Sequence, residues 1–255
     1  MIALVTGASS GIGRDMARCL NNLGYDLIIT ARDRAKLEDL KKELEDKNDR
    51  KVYVISKDLS KTDECTSLYN EVKEKYGVID VLINNAGFGL CGEFTETDLN
   101  VELSMVDTNI KAMHILFKLF LKDMVEKDEG RILNVASVAS FMPGPLMATY
   151  YASKSYVLRL TEGIKEELKR KKSNVKVSVL CPGPVNTNFN NVANVRFAIE
   201  GFSSQYIANY TINKFMKNKS IIVPGIKIKI TRIFSKIIPD SIMAKFCYNI
   251  QERKR

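Results

Sequence analysis

Short apolar stretches alternate with amphipathic stretches along most of the chain. Runs of three to six mainly apolar residues predict buried strands at 2–5, 26–30, 52–56, 81–84, 132–136, 175–180 and 221–223. Between them, apolar residues recur every three or four positions, which predicts helices over 11–23, 34–46, 61–76, 99–125 and 150–171. This alternation predicts an α/β fold, with a parallel seven-stranded sheet covered by helices on both faces.

A glycine-rich turn joins the first predicted strand to the first predicted helix. Its spacing is Gly-x-x-x-Gly-x-Gly, with glycines at positions 7, 11 and 13. Glycine tolerates positive φ and lets an anion approach the bare backbone, while the helix begins there with unpaired N–H groups. The turn therefore favours a dinucleotide pyrophosphate site, and the alternative is a tight strand-to-helix turn without a ligand.

Length and composition are typical of one soluble domain. The chain has 255 residues, of which 45% are hydrophobic, enough for one large core. The first strand begins at residue 2, and no apolar run approaches the roughly 18 residues of a membrane span. We therefore expect a soluble, cytoplasmic protein without a signal peptide.

The formal charge of +9 is confined to one end of the chain. Residues 1–200 carry 28 Lys and Arg against 28 Asp and Glu, whereas residues 201–255 carry 11 against 2. A nucleic-acid binder is not expected to have a neutral body, and no nucleic-acid motif is recognisable. We therefore expect no nucleic-acid partner.

Cysteine and histidine positions give no metal-binding pattern. The five cysteines lack paired spacing, and the one histidine, His114, does not complete a usual zinc set with them. We expect neither a metal site nor disulfides. The cysteines are Cys19, Cys65, Cys91, Cys181 and Cys247.

Ligands of open parallel sheets bind beyond the carboxyl ends of the strands, so the residues that follow each strand are candidate functional residues. Besides the glycine turn, these positions hold Arg32, Asp58, the segment Asn84-Asn85-Ala86-Gly87, Ser137, and Pro182-Gly183. Polar and small residues at so many strand ends indicate a site that runs along this edge.

This set of motifs resembles the short-chain dehydrogenase/reductase family over about residues 2–190. The resemblance rests on the glycine turn, Asp58, Asn84-Asn-Ala-Gly87, Asn109, Ser137, Tyr150-x-x-x-Lys154 and Pro182-Gly183 followed by Thr187. It implies a single-domain, doubly wound Rossmann fold that binds NAD(H) or NADP(H) and forms a homodimer or homotetramer.

Four residues form the catalytic set that the resemblance implies: Asn109, Ser137, Tyr150 and Lys154. Tyr150 and Lys154 are four apart on a predicted helix and so share a face. We expect Tyr150 to exchange a proton with the substrate oxygen as hydride is transferred, while Ser137 holds that oxygen. Lowering the pKa of a tyrosine from about 10 to about 7 requires about 4 kcal/mol, which we expect from Lys154 and the oxidised nicotinamide. The resemblance also implies that Lys154 contacts the nicotinamide ribose and that Asn109 anchors a water.

Arg32 indicates which cofactor is preferred. A reader of the ribose 2′-hydroxyl needs a carboxylate at the end of the second strand, but Ala31 and Arg32 stand there. A guanidinium suits the 2′-phosphate of NADP(H). Arg14 is either a second contact for that phosphate or a residue on the exposed face of the first helix. The alternative is a solvated Arg32 for which Asp33 competes.

The remaining cofactor contacts follow from the resemblance. Asp58 is expected to accept from the adenine amino group, its alternative role being a helix cap, for which Ser60 is the nearer candidate. The segment from Pro182 to Thr187 is expected to pass over the nicotinamide. The full predicted set is Gly7, Ser9, Ser10, Gly11, Ile12, Gly13, Arg32, Asp58, Leu59, Asn85, Ala86, Gly87, Tyr150, Lys154, Pro182, Gly183, Val185 and Thr187.

The predicted substrate pocket is apolar and rich in methionine, which favours a bulky hydrophobic ketone or alcohol such as a steroid or acyl ketone. Each lining residue has ordinary core packing as its alternative. Tyr151 is expected to pack, His114 to be structural, and Cys91 to be no nucleophile because no base stands beside it. The predicted lining is Cys91, Phe94, Val138, Phe141, Met142, Leu146, Met147 and Phe189.

A basic amphipathic tail over residues 226–255 follows the predicted domain at 1–225. It resembles the tails of hydroxysteroid-type and acyl-reductase-like members of the family. One apolar stripe at helical spacing, with Lys229, Arg232 and Lys236 opposite, predicts a helix, and the alternation of Ile226, Ile228 and Ile230 allows an edge strand instead. The stripe comprises Ile226, Ile230, Ile233, Phe234 and Ile237, and a second short helix would group Ile242, Met243, Phe246 and Ile250.

Two roles for this tail remain open. It can pack against a neighbouring subunit or cover the substrate, or it can dock to an anionic membrane surface. For the whole chain we predict an NADP(H)-dependent carbonyl reductase or alcohol dehydrogenase. The alternatives are a nucleotide sensor that performs no chemistry, which would leave the catalytic set without a purpose, and a membrane-surface scaffold.

Overall fold

A parallel seven-stranded sheet forms the centre of the computed structural model, which describes residues 1–187, 189 and 201–252. Its strands are β1 (Ile2–Thr6), β2 (Asp26–Ala31), β3 (Val52–Ser56), β4 (Val81–Asn84), β5 (Arg131–Val135), β6 (Lys176–Leu180) and β9 (Ile221–Ile222), and β7 (Val185–Asn186) pairs with β8 (Phe202–Ser203) beside the sheet. The strand order is β3-β2-β1-β4-β5-β6-β9. The order in which the chain adds strands reverses between β1 and β4, and the crevice at that point is where such sheets bind their ligands.

Helices cover both faces of the sheet, as the pattern predicts. The helices are α1 (Gly11–Asn22), α2 (Arg34–Lys47), α3 (Thr62–Tyr76), α4 (Leu99–Val106), α5 (Met113–Lys127), α6 (Ala148–Arg170), α7 (Ser204–Met216), α8 (Ile226–Phe234) and α9 (Asp240–Glu252). Successive strand residues point to opposite faces, so Leu4 joins the core under α3, α5 and α6, while Ala3 and Val5 join the core under α1, α2 and α7.

The predicted helix over 99–125 is interrupted. Residues Asp107–Ala112 form a π-helical turn between α4 and α5, and Asn109 lies within it. Helical periodicity in the sequence does not reveal such a turn, because a π-turn adds one residue without breaking the apolar stripe. The sequence prediction also missed α7, which Ser203 caps by accepting from the backbone N–H of Tyr206 at 3.2 Å.

Two helices fold the C-terminal segment back onto the body, and the edge-strand alternative is wrong. The predicted stripe reaches position 237, but α8 ends at Phe234 and α9 begins at Asp240, just after Pro239. Proline disfavours helix in the residue before it, which accounts for the break. In the part of the chain that the structure describes, no helix combines the length and apolarity needed to cross a bilayer.

A buried row of polar side chains ties together the elements that carry the site. Asn84 on β4 donates to Asn134 on β5 at 3.0 Å, and Asn134 donates to the Thr161 hydroxyl on α6 at 2.9 Å. All three residues are at most 4% exposed, so water does not replace these bonds when they are broken. This row fixes α6 against the strands whose ends line the crevice.

We predict that Thr161→Val lowers the free energy of unfolding by about 1–3 kcal/mol, because the Asn134 amide loses its buried acceptor. Urea unfolding followed by circular dichroism measures this change. Thr66→Val is the matched control, because Thr66 is exposed and its hydroxyl donates to the Thr62 carbonyl of its own helix. Equal unfolding free energies for Thr161→Val and the control would contradict the prediction.

Candidate active site

The glycine turn is shaped to receive an anion at the start of α1. Gly7 and Gly11 have φ of +65° and +55°, values that other residues rarely adopt. Ser10 precedes the helix without a side-chain capping bond, and the first turn of α1 holds no acidic residue. The first N–H groups of α1 and its positive dipole end are therefore available to a phosphate group.

One elongated cavity of about 490 Å³ runs along the carboxyl ends of the strands. The glycine turn lines its middle, Arg32 and Asp58 line one end, and Ser137 and Tyr150 line the other. Of the predicted cofactor residues only Gly13 lies outside the lining. It packs against the turn itself, since an added Cβ there would meet the Gly7 carbonyl oxygen at 2.4 Å. Gly13 permits this close packing, and the other residues form a cradle that fits a dinucleotide.

Arg32 is exposed at one end of the cavity, and within the described residues no acid lies within ion-pair distance of it. Asp33 does not compete for it, because Asp33 caps α2 and pairs with Lys36 at 2.7 Å. Arg14 is not a helper, since its guanidinium pairs with Glu43 at 3.0 Å, away from the cavity. Arg32 thus remains open to a ligand, whereas the Arg14 prediction is wrong.

Asp58 faces the same end of the cavity. Its Oδ1 accepts from the Ser60 N–H at 3.1 Å and the Ser60 hydroxyl at 2.8 Å. Burial raises the pKa of Asp58, but the bonds from Ser60 and the charge of Arg32 outweigh it, so the pKa is lowered. Neither residue caps α3, which begins after Lys61, so the capping alternative is wrong for both.

Tyr150, Ser137 and Lys154 meet at the other end of the cavity. Ser137 follows β5 and lines the cavity beside Tyr150, close enough for its hydroxyl to lower the pKa of the Tyr150 phenol. Lys154 lies one helical turn after Tyr150, with Nζ 5.8 Å from the centre of the tyrosine ring. The Lys154 ammonium donates to the Val135 carbonyl at 3.1 Å. A phenol, a hydroxyl and an amine are thus collected where a substrate can enter.

Burial, rather than charge, controls the protonation of this site. Burial raises the pKa of Tyr150 to about 12, although the hydrogen bond from Ser137 lowers it in part. Burial also lowers the pKa of Lys154 to about 8. The expected fall of the Tyr150 pKa to about 7 is therefore not produced by the side chains of this protein. At neutral pH they hold Tyr150 as a phenol, ready to donate a proton.

Asn109 lies behind the cavity wall, outside the lining. Its amide clamps the backbone of Phe88, donating to the Phe88 carbonyl at 2.8 Å and accepting from the Phe88 N–H at 3.0 Å. A Cβ at Gly87 would lie 2.7 Å from the Asn109 oxygen and 3.2 Å from the Lys154 Nζ. Asn109 and Lys154 therefore flank the Gly87 backbone, and Asn109 positions the loop that faces the cavity.

The predicted substrate lining is only partly correct. Val138, Met147 and Phe189 line the main cavity. Phe94 and Leu146 instead line a separate space of about 20 Å³. Three other predicted residues lie outside the main lining: Phe141 lies beneath Arg232, Cys91 packs against the cluster around Tyr150, and Met142 follows the short turn at Val138–Phe141.

Several lining residues were not predicted. Tyr151 was expected only to pack, but it lines the cavity, and its hydroxyl accepts from Gln251 of α9 at 2.5 Å. Lys57 directly follows β3, so the rule about strand ends could have found it, whereas no local signal marks Gln251. His114 is half-buried outside the cavity lining, with its Nδ1 2.7 Å from the Tyr156 hydroxyl. The other unpredicted lining residues include Lys36, Phe88, Thr108 and Pro184.

A dinucleotide-sized cradle that leads to a Ser-Tyr-Lys cluster defines a Rossmann-fold oxidoreductase. The profile of the short chain dehydrogenase family matches residues 1–196. An uncharacterized oxidoreductase of Staphylococcus saprophyticus is 37% identical over 186 residues, which are 73% of this chain and 79% of that protein. The chain belongs to the short-chain dehydrogenase family.

Solved structures with the same fold include two that contain a nicotinamide cofactor. A short-chain dehydrogenase of Sphingobium yanoikuyae in complex with NADPH matches with TM-score 0.83 and 27% identity, over 88% of each chain. One from Burkholderia phymatum in complex with NAD matches with TM-score 0.83 and 25% identity, over 91% of each chain. A bulky-bulky ketone specific alcohol dehydrogenase of Comamonas testosteroni matches with TM-score 0.79 and 27% identity, over 88% of this chain and 86% of that one. The protein is accordingly an oxidoreductase that uses a nicotinamide cofactor on alcohols or carbonyl compounds.

We predict that the contribution of Lys154 to the free energy of unfolding, measured as the difference between wild type and Lys154→Met, rises as the pH increases from about 8 to about 10.5. In this interval Lys154, with its lowered pKa, holds fewer protons in the folded protein than in the unfolded chain, so its contribution favours folding more at higher pH. Lys154→Met should remove this rise, whereas Lys165→Met, at an exposed position of α6, should keep it. Urea unfolding at several pH values measures both, and parallel profiles for wild type and Lys154→Met would exclude a lowered Lys154 pKa.

Proposed function

We propose that this protein is an NADP(H)-dependent reductase of bulky hydrophobic carbonyl compounds, able to oxidise the matching alcohols. One observation carries the proposal: a single cavity joins an arginine without an ion-pair partner in the described residues to the Ser137–Tyr150 pair. The first feature suits a phosphorylated ribose, and the second suits a carbonyl oxygen. We also propose a homo-oligomer, since Leu99 and Leu103 of α4 are 67% and 51% exposed.

The preference for NADP(H) rests on the charges around Arg32. Lys36 and Lys57 line the same end of the cavity, but Lys36 pairs with Asp33 and Lys57 lies 3.9 Å from Glu71. Arg32 is therefore the cation with the most freedom to meet a 2′-phosphate. A charge-assisted contact of about 1.5–3 kcal/mol corresponds to about a ten- to hundredfold preference.

The side chains of the site are suited to proton delivery. A bound nicotinamide dinucleotide supplies the hydride in reduction and accepts it in oxidation. Ser137 can hold the substrate oxygen beside the Tyr150 hydroxyl, and Tyr150 can then donate its proton to that oxygen. Lys154, buried beside the ring, keeps positive charge near Tyr150 once the phenolate forms. Because burial favours the neutral phenol, the site is better prepared for carbonyl reduction than for alcohol oxidation at neutral pH.

The walls beside Tyr150 favour a hydrophobic substrate. Phe88, Val138, Met147 and Phe189 contribute apolar surface, and the Phe189 ring lies 5.5 Å from the Tyr150 ring. Apolar walls around a few fixed polar groups are typical of sites for bulky organic ligands. The similarity to an alcohol dehydrogenase named for bulky-bulky ketones supports the same substrate class. A purely nucleotide-sensing role is not favoured, because it has no use for the Ser137–Tyr150 pair.

We predict that Arg32→Ala weakens NADPH binding about ten- to hundredfold and changes NADH binding less than threefold, because only NADPH carries the 2′-phosphate. Enhancement of nicotinamide fluorescence on binding measures both dissociation constants, and the absence of tryptophan keeps the protein background low. Arg34→Ala is the matched control, since Arg34 is exposed and pairs within α2 with Glu38. An equal loss for NADPH and NADH would contradict the 2′-phosphate assignment.

We predict that Tyr150→Phe lowers kcat for ketone reduction about 10²–10⁴-fold and leaves NADPH affinity within threefold, because only the proton donor is removed. NADPH oxidation against hydrophobic ketones, steroids, β-keto acyl thioesters and small aldehydes measures the rate. Tyr156→Phe, on the exposed face of α6, should retain full activity. A Tyr150→Phe protein that reduces ketones at the wild-type rate would rule out this proton donor.

A further inference from the structure

The two C-terminal helices turn their apolar residues toward solvent. Seven residues of α8, α9 and the intervening turn, here called the tail surface, are between 46% and 75% exposed. A helix on the surface of a soluble domain normally buries its apolar stripe. The tail surface consists of Ile226, Ile230, Ile233, Phe234, Ile237, Ile242 and Phe246.

Polar residues of α8 face the body instead. The Arg232 guanidinium lies 5.5 Å from the centre of the Phe141 ring, and the Lys229 ammonium lies 5.9 Å from that of Tyr210. Ile228 packs against Gly183, where an added Cβ would be 2.6 Å from it. These contacts fix the rotation of α8, so the outward direction of its apolar stripe follows from how the helix is anchored.

The second helix is anchored in the same way. Met243, Cys247 and Gln251 recur every four residues, and each is at most 6% exposed. Gln251 reaches the cavity wall and donates to the Tyr151 hydroxyl. The outer face of α9 leaves Ile242 and Phe246 at 57% and 61% exposure. Both helices are thus docked on the body by one face and present an apolar face outward.

Positive charge accompanies this apolar surface. Lys227, Lys236 and Lys245 are exposed, and in the described ranges none lies within 4 Å of a carboxylate. The only acidic residues in 201–255 are Asp240 and Glu252, against 11 Lys and Arg. The partner must therefore accept apolar side chains and supply negative charge.

We propose that the tail surface docks on an anionic lipid bilayer, with its apolar residues at the acyl boundary and its lysines among the headgroups. Amphipathic helices with a lysine-rich polar face bind such interfaces by buried apolar area and by attraction to anionic lipid. Pairing of this surface with the same surface of a second copy would bring lysines together with too few acids to neutralise them. The bilayer meets both requirements at once.

Cosedimentation of the full-length protein with vesicles tests this proposal without cofactor or substrate. We expect binding to phosphatidylcholine vesicles that contain about a third phosphatidylserine, release as salt approaches about 1 M, and little binding to pure phosphatidylcholine. Lys227→Gln/Lys236→Gln/Lys245→Gln should lower the partition coefficient on the order of a hundredfold, since each lysine contributes about fivefold. Ile233→Ser/Ile237→Ser should lower it about tenfold or more, through lost apolar burial.

A charge-matched control separates a specific surface from general basicity. Lys42→Gln/Lys118→Gln/Lys165→Gln removes three exposed lysines from the body and should leave binding within threefold of wild type. Circular dichroism and NADPH binding confirm that each variant is folded. Equal losses in both triple variants, equal binding to neutral vesicles, or no binding by the folded wild type would each overturn the proposal. So would salt-sensitive self-association through the tail without vesicle binding, which sedimentation velocity would detect.

Discussion

The site depends on one constraint, that every strand of the main sheet ends at the same edge. Backbone pairing continues beyond the regular strands there: the Ala136 N–H donates to the Leu180 carbonyl at 2.8 Å, and the Val138 N–H donates to the Pro182 carbonyl at 2.8 Å. These bonds hold Ser137 between two chain segments and set Pro182 beside it. Since Pro182 has no N–H, it can accept but not donate a backbone hydrogen bond in this ladder. The segment that follows Pro182 lines the cavity. The sheet itself therefore positions the Ser137 hydroxyl, which acts on the Tyr150 phenol.

Protonation at the site is decided by competition between burial and polar contacts. Burial disfavours both the phenolate of Tyr150 and the ammonium of Lys154, so it raises the pKa of Tyr150, lowers the pKa of Lys154 and thereby moves the two values apart. The Ser137 hydrogen bond opposes this for Tyr150, and the Val135 carbonyl gives the ammonium an acceptor. The sequence identifies these groups but not the balance between burial and polar contacts, because a four-residue spacing indicates that two side chains are close and says nothing about how deeply they are buried. A neutral phenol beside a mostly protonated lysine is the state that a proton donor needs at neutral pH.

Local patterns predicted the fold, because it depends on periodicity and on the direction of the strands, and the residues that follow the strands line one cavity. They failed where a residue's surroundings come from distant segments. Arg14 has the right charge near the glycine turn, but Glu43 of α2 engages it. Phe94 is apolar and lies near the site in sequence, yet it is 71% exposed and borders a different space. Gln251 reaches the cavity because α9 packs against Tyr151, which lies 100 positions earlier in the sequence. No short-range rule predicts such a contact.

The tail shows how one helix pair can have two different faces. The inner contacts of Ile228, Met243 and Gln251 order α8 and α9 against the body, and that order holds the apolar stripe outward. A disordered tail could instead collapse and hide its isoleucines, so anchoring is what keeps them exposed. Large exposed apolar patches on soluble proteins usually mark a surface that something else covers. Because the inner face of the same helices contacts Gly183 and Tyr151 of the cavity wall, the contacts that expose the apolar stripe are also contacts with the active site.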